Sequence, residues 1–426
     1  MNSNSHHIIM QGGERLQGVV DVAGAKNAVL PIMAACILLK GHTTLKNIPD
    51  LLDVQSMIKM LNALNVSTSY YNNSLSINHN VQPKHLAPYD LVTAMRASFL
   101  VAGPILAVNG FAKIPLPGGC SIGTRPVDIH LKGFKALGAD IHIEHGFVQL
   151  QAKKLKGTEI NFDFPSVGAT ENIMMAASIS EGTTIINNAA REPEITDLAN
   201  FLNQAGAKIS GAGSPIITIQ GVQSLQAVNQ YHVIGDRIEA VTLLIAGAIT
   251  KGDITIKGCS EKDIHSALLS LQEAGMEIHC TDQGIRLIGK EARAISFNTE
   301  PFPGFPTDIQ AQMMALLCVA DGRSRIKEAL FENRFMHVPE LIRMGADITI
   351  SDHIASVTGK KSLSGADVTI TDLRAGAALM IAALVADGYT TLFGMNHVRR
   401  GYDKLPEKLI SLGAQISYKK GGLNEN

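Results

Sequence analysis

The chain has 426 residues, 46% of them hydrophobic and 18% charged, a balance that excludes a disordered tail or a collagen-like fibre. At roughly 100 to 200 residues per domain, this length predicts about two to four domains, each with its own core. Thirty-seven Lys+Arg against 38 Asp+Glu leave a net charge of −1, so no overall field holds nucleic acid or an anionic membrane, and any anion site must be a local cluster.

Residues 1–7 are polar and lack the apolar core of a secretory signal, which predicts a cytoplasmic protein. The longest uncharged apolar runs, 240–249 and 377–386, are about half the ~18 residues of a membrane span and read as buried helices. Five cysteines stand at 36, 120, 259, 280 and 318 without a C-x-x-C pair, so neither a zinc site nor a disulfide framework is expected. Cys36 and Cys318 fall in apolar helical runs, and Cys259 and Cys280 lie near strand ends. Cys120 fits neither description.

The elements recur along the chain. A glycine closes an apolar helical stretch and opens a strand at Gly41, Gly110, Gly182, Gly252, Gly322 and Gly388, at intervals of 69, 72, 70, 70 and 66 residues. A second series ends a helix in an LGA-like turn before an alternating strand, at Asn65, Gly138, Gly206, Gly275, Gly345 and Gly413, spaced 73, 68, 69, 70 and 68. Two markers sharing one period identify six repeats of about 70 residues. In the second repeat, Val127, Leu131, Phe134 and Leu137 share one helical face, with Pro126 in the first turn and Gly138 at the left-handed exit. Ile141 and Ile143 then alternate with polar residues as a half-buried strand does. Helices such as MMALLCVA are apolar all round, which predicts helices inside, sheets around them and three repeats per globule. A six-unit solenoid is the alternative, but 70 residues exceeds the roughly 20 to 45 of solenoid repeats.

Function is expected in stretches that the repeat does not explain. These are GAKNAVLP at 24–31, AMRAS at 94–98, LPGGCSIGTRPVDIH at 116–130, FPTDIQAQ at 305–312, FENRF at 331–335, TDLRAG at 371–376 and HVRRGYDKL at 397–405. Glycines and prolines around Cys120 suit a loop that hinges over a site. Arg125 precedes a helix start at Pro126, Val127 and Asp128, where free N–H groups and a guanidinium could meet one anion such as phosphate. A surface turn with a passenger thiol is the competing reading. Lys26, Asn27 and Arg96 could equally decorate helix starts. Asp308 is placed to cap the helix beginning IQAQ, and Asp372 has the same ambiguity. Arg399 and Arg400 are adjacent and call for an acid or an anionic ligand. No P-loop, dinucleotide fingerprint or H-E-x-x-H occurs, so ATP, NAD and a metal are not indicated.

GAKNAVLP, YDLVTAMRAS, LPGGCSIGTRPVDIH, SVGAT, AAREPEI, FPTDIQAQ, FENRFMHVPEL, TDLRA and RRGY, in this order, closely resemble the UDP-N-acetylglucosamine branch of the enolpyruvyl transferase family, over nearly the entire chain. The resemblance implies an α/β fold, the inside-out α/β barrel, with two globular domains each of three βαβαββ units. The N-terminal domain would span 23–233, and 1–22 would join 234–426 in the C-terminal domain, with the active site in the cleft between them. The implied reaction moves the enolpyruvyl group of phosphoenolpyruvate to the 3′-hydroxyl of UDP-N-acetylglucosamine and releases phosphate. It needs no cofactor and no metal.

The family's roles map onto matching residues. By resemblance Cys120 is the proton donor on a mobile lid, able also to add covalently to phosphoenolpyruvate, and Asp308 is the base near the acceptor hydroxyl. Lys26, Asn27, Arg125 and Arg400 face phosphoenolpyruvate. Arg96, Arg125, Pro126, Val127, Asp128, Ile129, Ser166, Val167, Gly168, Asp308 and Leu330 face the nucleotide sugar. Arg334, Asp372 and Arg374 line or bridge the cleft. Two positions depart from the pattern: Phe164 stands where many relatives have a lysine, and Arg399 replaces a common acid. Three rivals remain: a shikimate-type enolpyruvyl transferase, which lacks the Cys120 lid; a non-catalytic nucleotide-sugar-binding paralogue; and an RNA-end cyclase, which would need a basic face.

Overall fold

The computed structural model describes residues 6–116 and 127–420. Among them the chain divides into two compact units rather than one stack of repeats: residues 24–235 form the N-terminal unit, and residues up to 23 join those from 236 onward in the C-terminal unit.

Among the described residues, each repeat contributes one inner helix. In the N-terminal unit these are α1 (Lys26–Ala35), α2 (Ala102–Asn109) and α3 (Val167–Ala177); in the C-terminal unit they are α4 (Arg237–Ile249), α5 (Gln310–Leu317) and α6 (Leu373–Ala383). Every residue of α4 and α5 is buried. A helix that is apolar all round has to be covered all round, and α4, α5 and α6 pack against one another while α2 packs against α3. The strands around them alternate buried and more exposed residues, as in Asp253–Lys257, so each sheet lays one face on the helices.

The third repeat shows the unit whole. Strand Glu159–Asn161 precedes α3, strand Thr183–Asn187 follows it, and helix Pro193–Gln204 leads into strands Lys208–Ser210 and Ile216–Gln220. The strands flanking α3 are parallel, with Ile186 opposite Ile160, while Ile186 meets Ile217 across an antiparallel pair. The order is βαβαββ.

Three sheets are closed by chain that is remote in sequence. In the first repeat, Leu225 and Tyr231 pair in parallel with Leu39 and Leu45. In the fourth, strand Gln17–Asp21 runs parallel to Asp253–Lys257. In the sixth, strand His6–Gln11 lies between Tyr389–Phe393 and Gln415–Lys420, with Ile8 opposite both Leu392 and Tyr418.

The turn glycines follow the repeat with two departures. All six positions of the second series take a positive φ, from 69° at Asn65 to 109° at Gly413. In the first series Gly41 lies inside strand Leu39–Lys46, and at the fourth position Lys251, not Gly252, takes the left-handed turn. Gly252 serves a different need, because a Cβ there would stand 2.1 Å from the Leu16 carbonyl oxygen. The run 377–386, expected as one helix, also divides: α6 stops at Ala383, and Ala386 opens strand Ala386–Asp387. Gly13 N–H takes the Leu384 carbonyl at 3.0 Å, which draws the chain out of the helix.

Candidate active site

Lys26, Arg96, Ser166 and Asp236 follow one another at intervals of 70 residues, and each stands at the start of an inner helix or of the turn leading into one. Asp308 and Asp372 hold the same place in the last two repeats. Four of the seven stretches that looked irregular in sequence, 24–31, 94–98, 305–312 and 371–376, are therefore one structural position, a helix start, where the first backbone N–H groups have no partner within the helix.

In the N-terminal unit, Lys26 opens α1 and its ammonium lies 3.4 Å from the Asp53 carboxylate, both largely buried. Asn27 is half-buried beside it. Arg96 begins the 3-10 turn Arg96–Val101, which runs directly into α2. Ser166 caps α3, its hydroxyl accepting from Ala169 N at 3.4 Å, and Val167 and Gly168 form the first turn.

His130 lies against that turn. It is buried, it meets Phe99 edge-on at 5.2 Å between centroids, and a Cβ added at Gly168 would stand 3.1 Å from its ring. The Asn172 amide donates to His130 Nδ1 at 3.0 Å and to the Phe99 carbonyl at 3.1 Å, while its oxygen accepts from Gly103 N. That pattern leaves Nδ1 as an acceptor and places the ring proton on Nε2. Burial, aided by Arg96, pulls the His130 pKa down to about 3, so the ring is neutral. Asp128 opens helix Asp128–Ala136 and is exposed, Val127 is buried and Ile129 is half-buried. Cys120, Arg125 and Pro126 lie outside the described residues.

In the C-terminal unit, sequence reasoning offered Asp308 as a helix cap, and the structure corrects this. Asp308 sits within the 3-10 turn Thr307–Ile309, at the cap position of neither that turn nor α5, and its carboxylate turns to Arg334 and Arg374. Arg334 Nη2 donates to Oδ1, and Arg374 Nε lies 3.3 Å from the same oxygen. Both guanidiniums are nearly covered, at 6% and 7% side-chain exposure, whereas the carboxylate is 31% exposed. Two buried cations thus hold one acid with an open edge. Burial opposes the charge on Arg374, but Asp308, Tyr402 and Asp236 outweigh it and hold the pKa above the usual guanidinium range.

A polar support lies behind this group. Arg374 is 5.4 Å from the centre of the Tyr402 ring. Gln312 donates to the Asp308 carbonyl and to the Tyr402 hydroxyl, both at 2.9 Å. Asp372 is a helix cap: its carboxylate accepts from Arg374 N at 2.9 Å and Ala375 N at 3.0 Å. Leu330 is half-buried in the loop leading to Arg334. Arg400 ends the 3-10 turn Val398–Arg400, which packs on α6, with Arg399 exposed beside it. Phe164, the other departure, is also exposed.

The structure therefore brings together Asp308, Arg334 and Arg374 in one unit, and places Arg96 near His130, beside Gly168, in the other. Among the described residues no cluster of three or more His, Cys, Asp or Glu could hold a metal, and no helix is long and apolar enough to cross a membrane.

Comparison with known proteins fixes the family. The model of EPSP synthase (3-phosphoshikimate 1-carboxyvinyltransferase) matches residues 10–409. A UDP-N-acetylglucosamine 1-carboxyvinyltransferase of Geobacter metallireducens is 51% identical over 410 residues, covering 96% of this chain and 98% of that protein. One from Caldanaerobacter subterraneus subsp. tengcongensis is 52% identical, covering 97% and 99%. The chain belongs to the UDP-N-acetylglucosamine 1-carboxyvinyltransferase family, among the enolpyruvyl transferases. Its fold is theirs. The enolpyruvyl transferase NikO from Streptomyces tendae superposes with a TM-score of 0.88 at 26% identity, covering 98% of this chain and 99% of that one. EPSP synthase from Acinetobacter baumannii, 18% identical with a TM-score of 0.77, covers 98% of this chain and 100% of its own and shares the architecture.

In this enolpyruvyl transferase the sequence reading passed over Asp236, His130, Gln312 and Tyr402. Asp236 caps α4, accepting from Ile238 N at 2.8 Å and Glu239 N at 3.1 Å. Its signal was available, since it follows Ser166 by one 70-residue period. The other three lie inside quoted motifs, but only the packed chain shows what they touch.

Proposed function

We infer that this chain transfers the enolpyruvyl group of phosphoenolpyruvate to the 3′-hydroxyl of UDP-N-acetylglucosamine with release of phosphate, the committed entry to peptidoglycan synthesis. The partly open Asp308 carboxylate, fixed by two buried arginines, carries the reading. It belongs to a chain half identical, over nearly its whole length, to proteins named for this reaction.

The chemistry is an addition followed by an elimination. The acceptor oxygen bonds to C2 of phosphoenolpyruvate as a proton reaches C3, giving a tetrahedral adduct that still carries phosphate. Loss of a C3 proton then expels phosphate and restores the double bond. An acid and a base are required. In this proposal Cys120 supplies the proton to C3 and Asp308 receives the one from the hydroxyl. A guanidinium on either side fixes the carboxylate in place. The carboxylate works by orienting the hydroxyl and taking its proton late, once the forming C–O bond has made the oxygen acidic.

Cations answer the substrates' charges. We assign Lys26, Asn27, Arg125 and Arg400 to phosphoenolpyruvate, where guanidinium forks match carboxylate and phosphate. Arg96, residues 125–129, Ser166, Val167, Gly168 and Leu330 receive the nucleotide sugar, the first turn of α3 offering backbone N–H groups to its diphosphate. Arg334 and Arg374 hold Asp308, and Asp372 caps the helix that carries Arg374. Both substrates are multiply charged metabolites made inside the cell, which places the enzyme in the cytoplasm.

Purified protein is expected to release phosphate from phosphoenolpyruvate only when UDP-N-acetylglucosamine is supplied, as read by a phosphate assay. Release with shikimate 3-phosphate in its place would move the chain to the shikimate-type enzymes.

A further inference from the structure

Strand Arg323–Lys327 ends against Glu328, a residue 2% exposed to solvent. Its Oε1 accepts from Thr299 Oγ1 at 2.8 Å, Leu330 N at 3.0 Å and Phe331 N at 3.3 Å, and its Oε2 accepts from Thr307 Oγ1 at 2.9 Å. Thr299, wholly buried, in turn accepts from Ala329 N at 2.9 Å, and Glu328 N–H donates to the His353 carbonyl at 2.8 Å. Head and stem of this side chain are both fixed. None of the donors that reach its carboxylate among the described residues carries a formal charge. A carboxylate buried on neutral donors is costly to keep, so it is informative where those donors come from.

Three of the four come from the two segments that carry the proposed chemistry, Thr299 being the exception. Thr307 is the residue before Asp308, and Leu330 and Phe331 begin the loop that delivers Arg334. Arg334 then closes onto Asp308. The contacts form a ring: Glu328 to Thr307, along the chain to Asp308, across the ion pair to Arg334, and back through Phe331 to Glu328. Fixing one side of such a ring fixes the spacing across the other.

We propose that Glu328 is a positioning residue for enolpyruvyl transfer, setting the distance between the Asp308 turn and the Leu330–Arg334 loop so that base and acceptor hydroxyl meet. The proposal rests on the function inferred above, in which Asp308 is the base and Leu330 contacts the nucleotide sugar. Glu328 itself touches no reacting atom. Its effect passes through alignment, and a displacement of about 1 Å at a reacting group costs on the order of 100-fold in rate.

Steady-state phosphate release, with each substrate varied in turn, tests this on the full-length chain and three variants. Glu328→Ala is expected to lower kcat by about 100-fold and to raise KM for UDP-N-acetylglucosamine, leaving KM for phosphoenolpyruvate within about twofold. Glu328→Gln keeps an oxygen for the three Oε1 donors, and its amide can donate to a rotated Thr307 hydroxyl, so it restores kcat to within about tenfold of wild type. Thr307→Val cuts only the tie to the base's turn and lowers kcat with the nucleotide-sugar KM unchanged, while calorimetry still finds one nucleotide sugar bound per chain. A purely structural role would reduce the bound fraction and leave both KM values alone. Glu328→Ala with wild-type kcat and KM values overturns the proposal, as does a Gln variant no better than Ala. If the Ala variant fails to fold, Thr307→Val with wild-type kcat overturns it alone. Wild-type protein that releases no phosphate sinks the functional reading first, before any variant is made.

Discussion

His130 shows how one side chain can be held neutral by its surroundings. Its folded pKa of about 3 lies below the ordinary histidine value, so the unfolded chain binds the extra proton between those two values. Stability from this residue is therefore complete above about pH 6.5 and is lost as pH falls through it. Between pH 7.5 and 5 the loss amounts to about 2 kcal/mol, and His130→Gln, which cannot titrate, is expected to lack it in urea unfolding at the two pH values. A slope equal to wild type would mean that the imidazole charges freely in the folded protein. The same scale separates Asp308 from Asp372. Both stand at a helix start, and sequence alone made capping the ordinary expectation for each. Asp372 caps, whereas Asp308 is claimed by Arg334 and Arg374, residues 26 and 66 positions away. No local pattern encodes that choice, because it depends on which long side chains packing delivers to the carboxylate.

At the scale of elements, the short-range signals are readable and the long-range pairings are not. All six turns of the second series are left-handed because the φ of one residue is a local property, met by five glycines and Asn65. Helix burial is equally plain from apolar residues on every side of α4, α5 and α6. Strand His6–Gln11 is the opposite case: six residues that pair with strands almost 400 positions away. Ile8 is wholly buried between Leu392 and Tyr418, while Ile9 is only half-buried. Ile8→Ala is expected to cost about 3 kcal/mol, and Ile9→Ala less than about 1 kcal/mol, by urea unfolding followed by circular dichroism. Equal costs would argue that the strand is not seated in this register.

For the molecule as a whole, the important asymmetry lies in how the units are completed. Among the described residues, 24–235 supply every strand of their own sheets, including the 225–232 segment that finishes the first repeat. Residues 236–426 do not, since the fourth and sixth repeats take strands from the start of the chain. We therefore expect a 24–235 fragment to unfold cooperatively by itself, and a 236–426 fragment to be uncooperative or insoluble unless residues 1–23 are restored. Without them Ile8, Met10, Leu16, Val20 and Val22 leave the core, and sheet edges lose their partners. A 236–426 fragment as stable as the intact chain would refute this dependence.

The amino-acid order by itself determined the period of about 70 residues, the left-handed turns, the buried inner helices and the motifs where each repeat departs from its neighbours. These are set within ten or so residues by backbone sterics and by the spacing of apolar side chains. Only the tertiary structure decided that four of the separate motifs occupy one recurring helix start, that Asp308 belongs to two arginines rather than to its helix, and that Glu328 ties the turn of one to the loop of the other. Those outcomes depend on which distant segments share a volume, and burying the cores selects that volume from the chain as a whole.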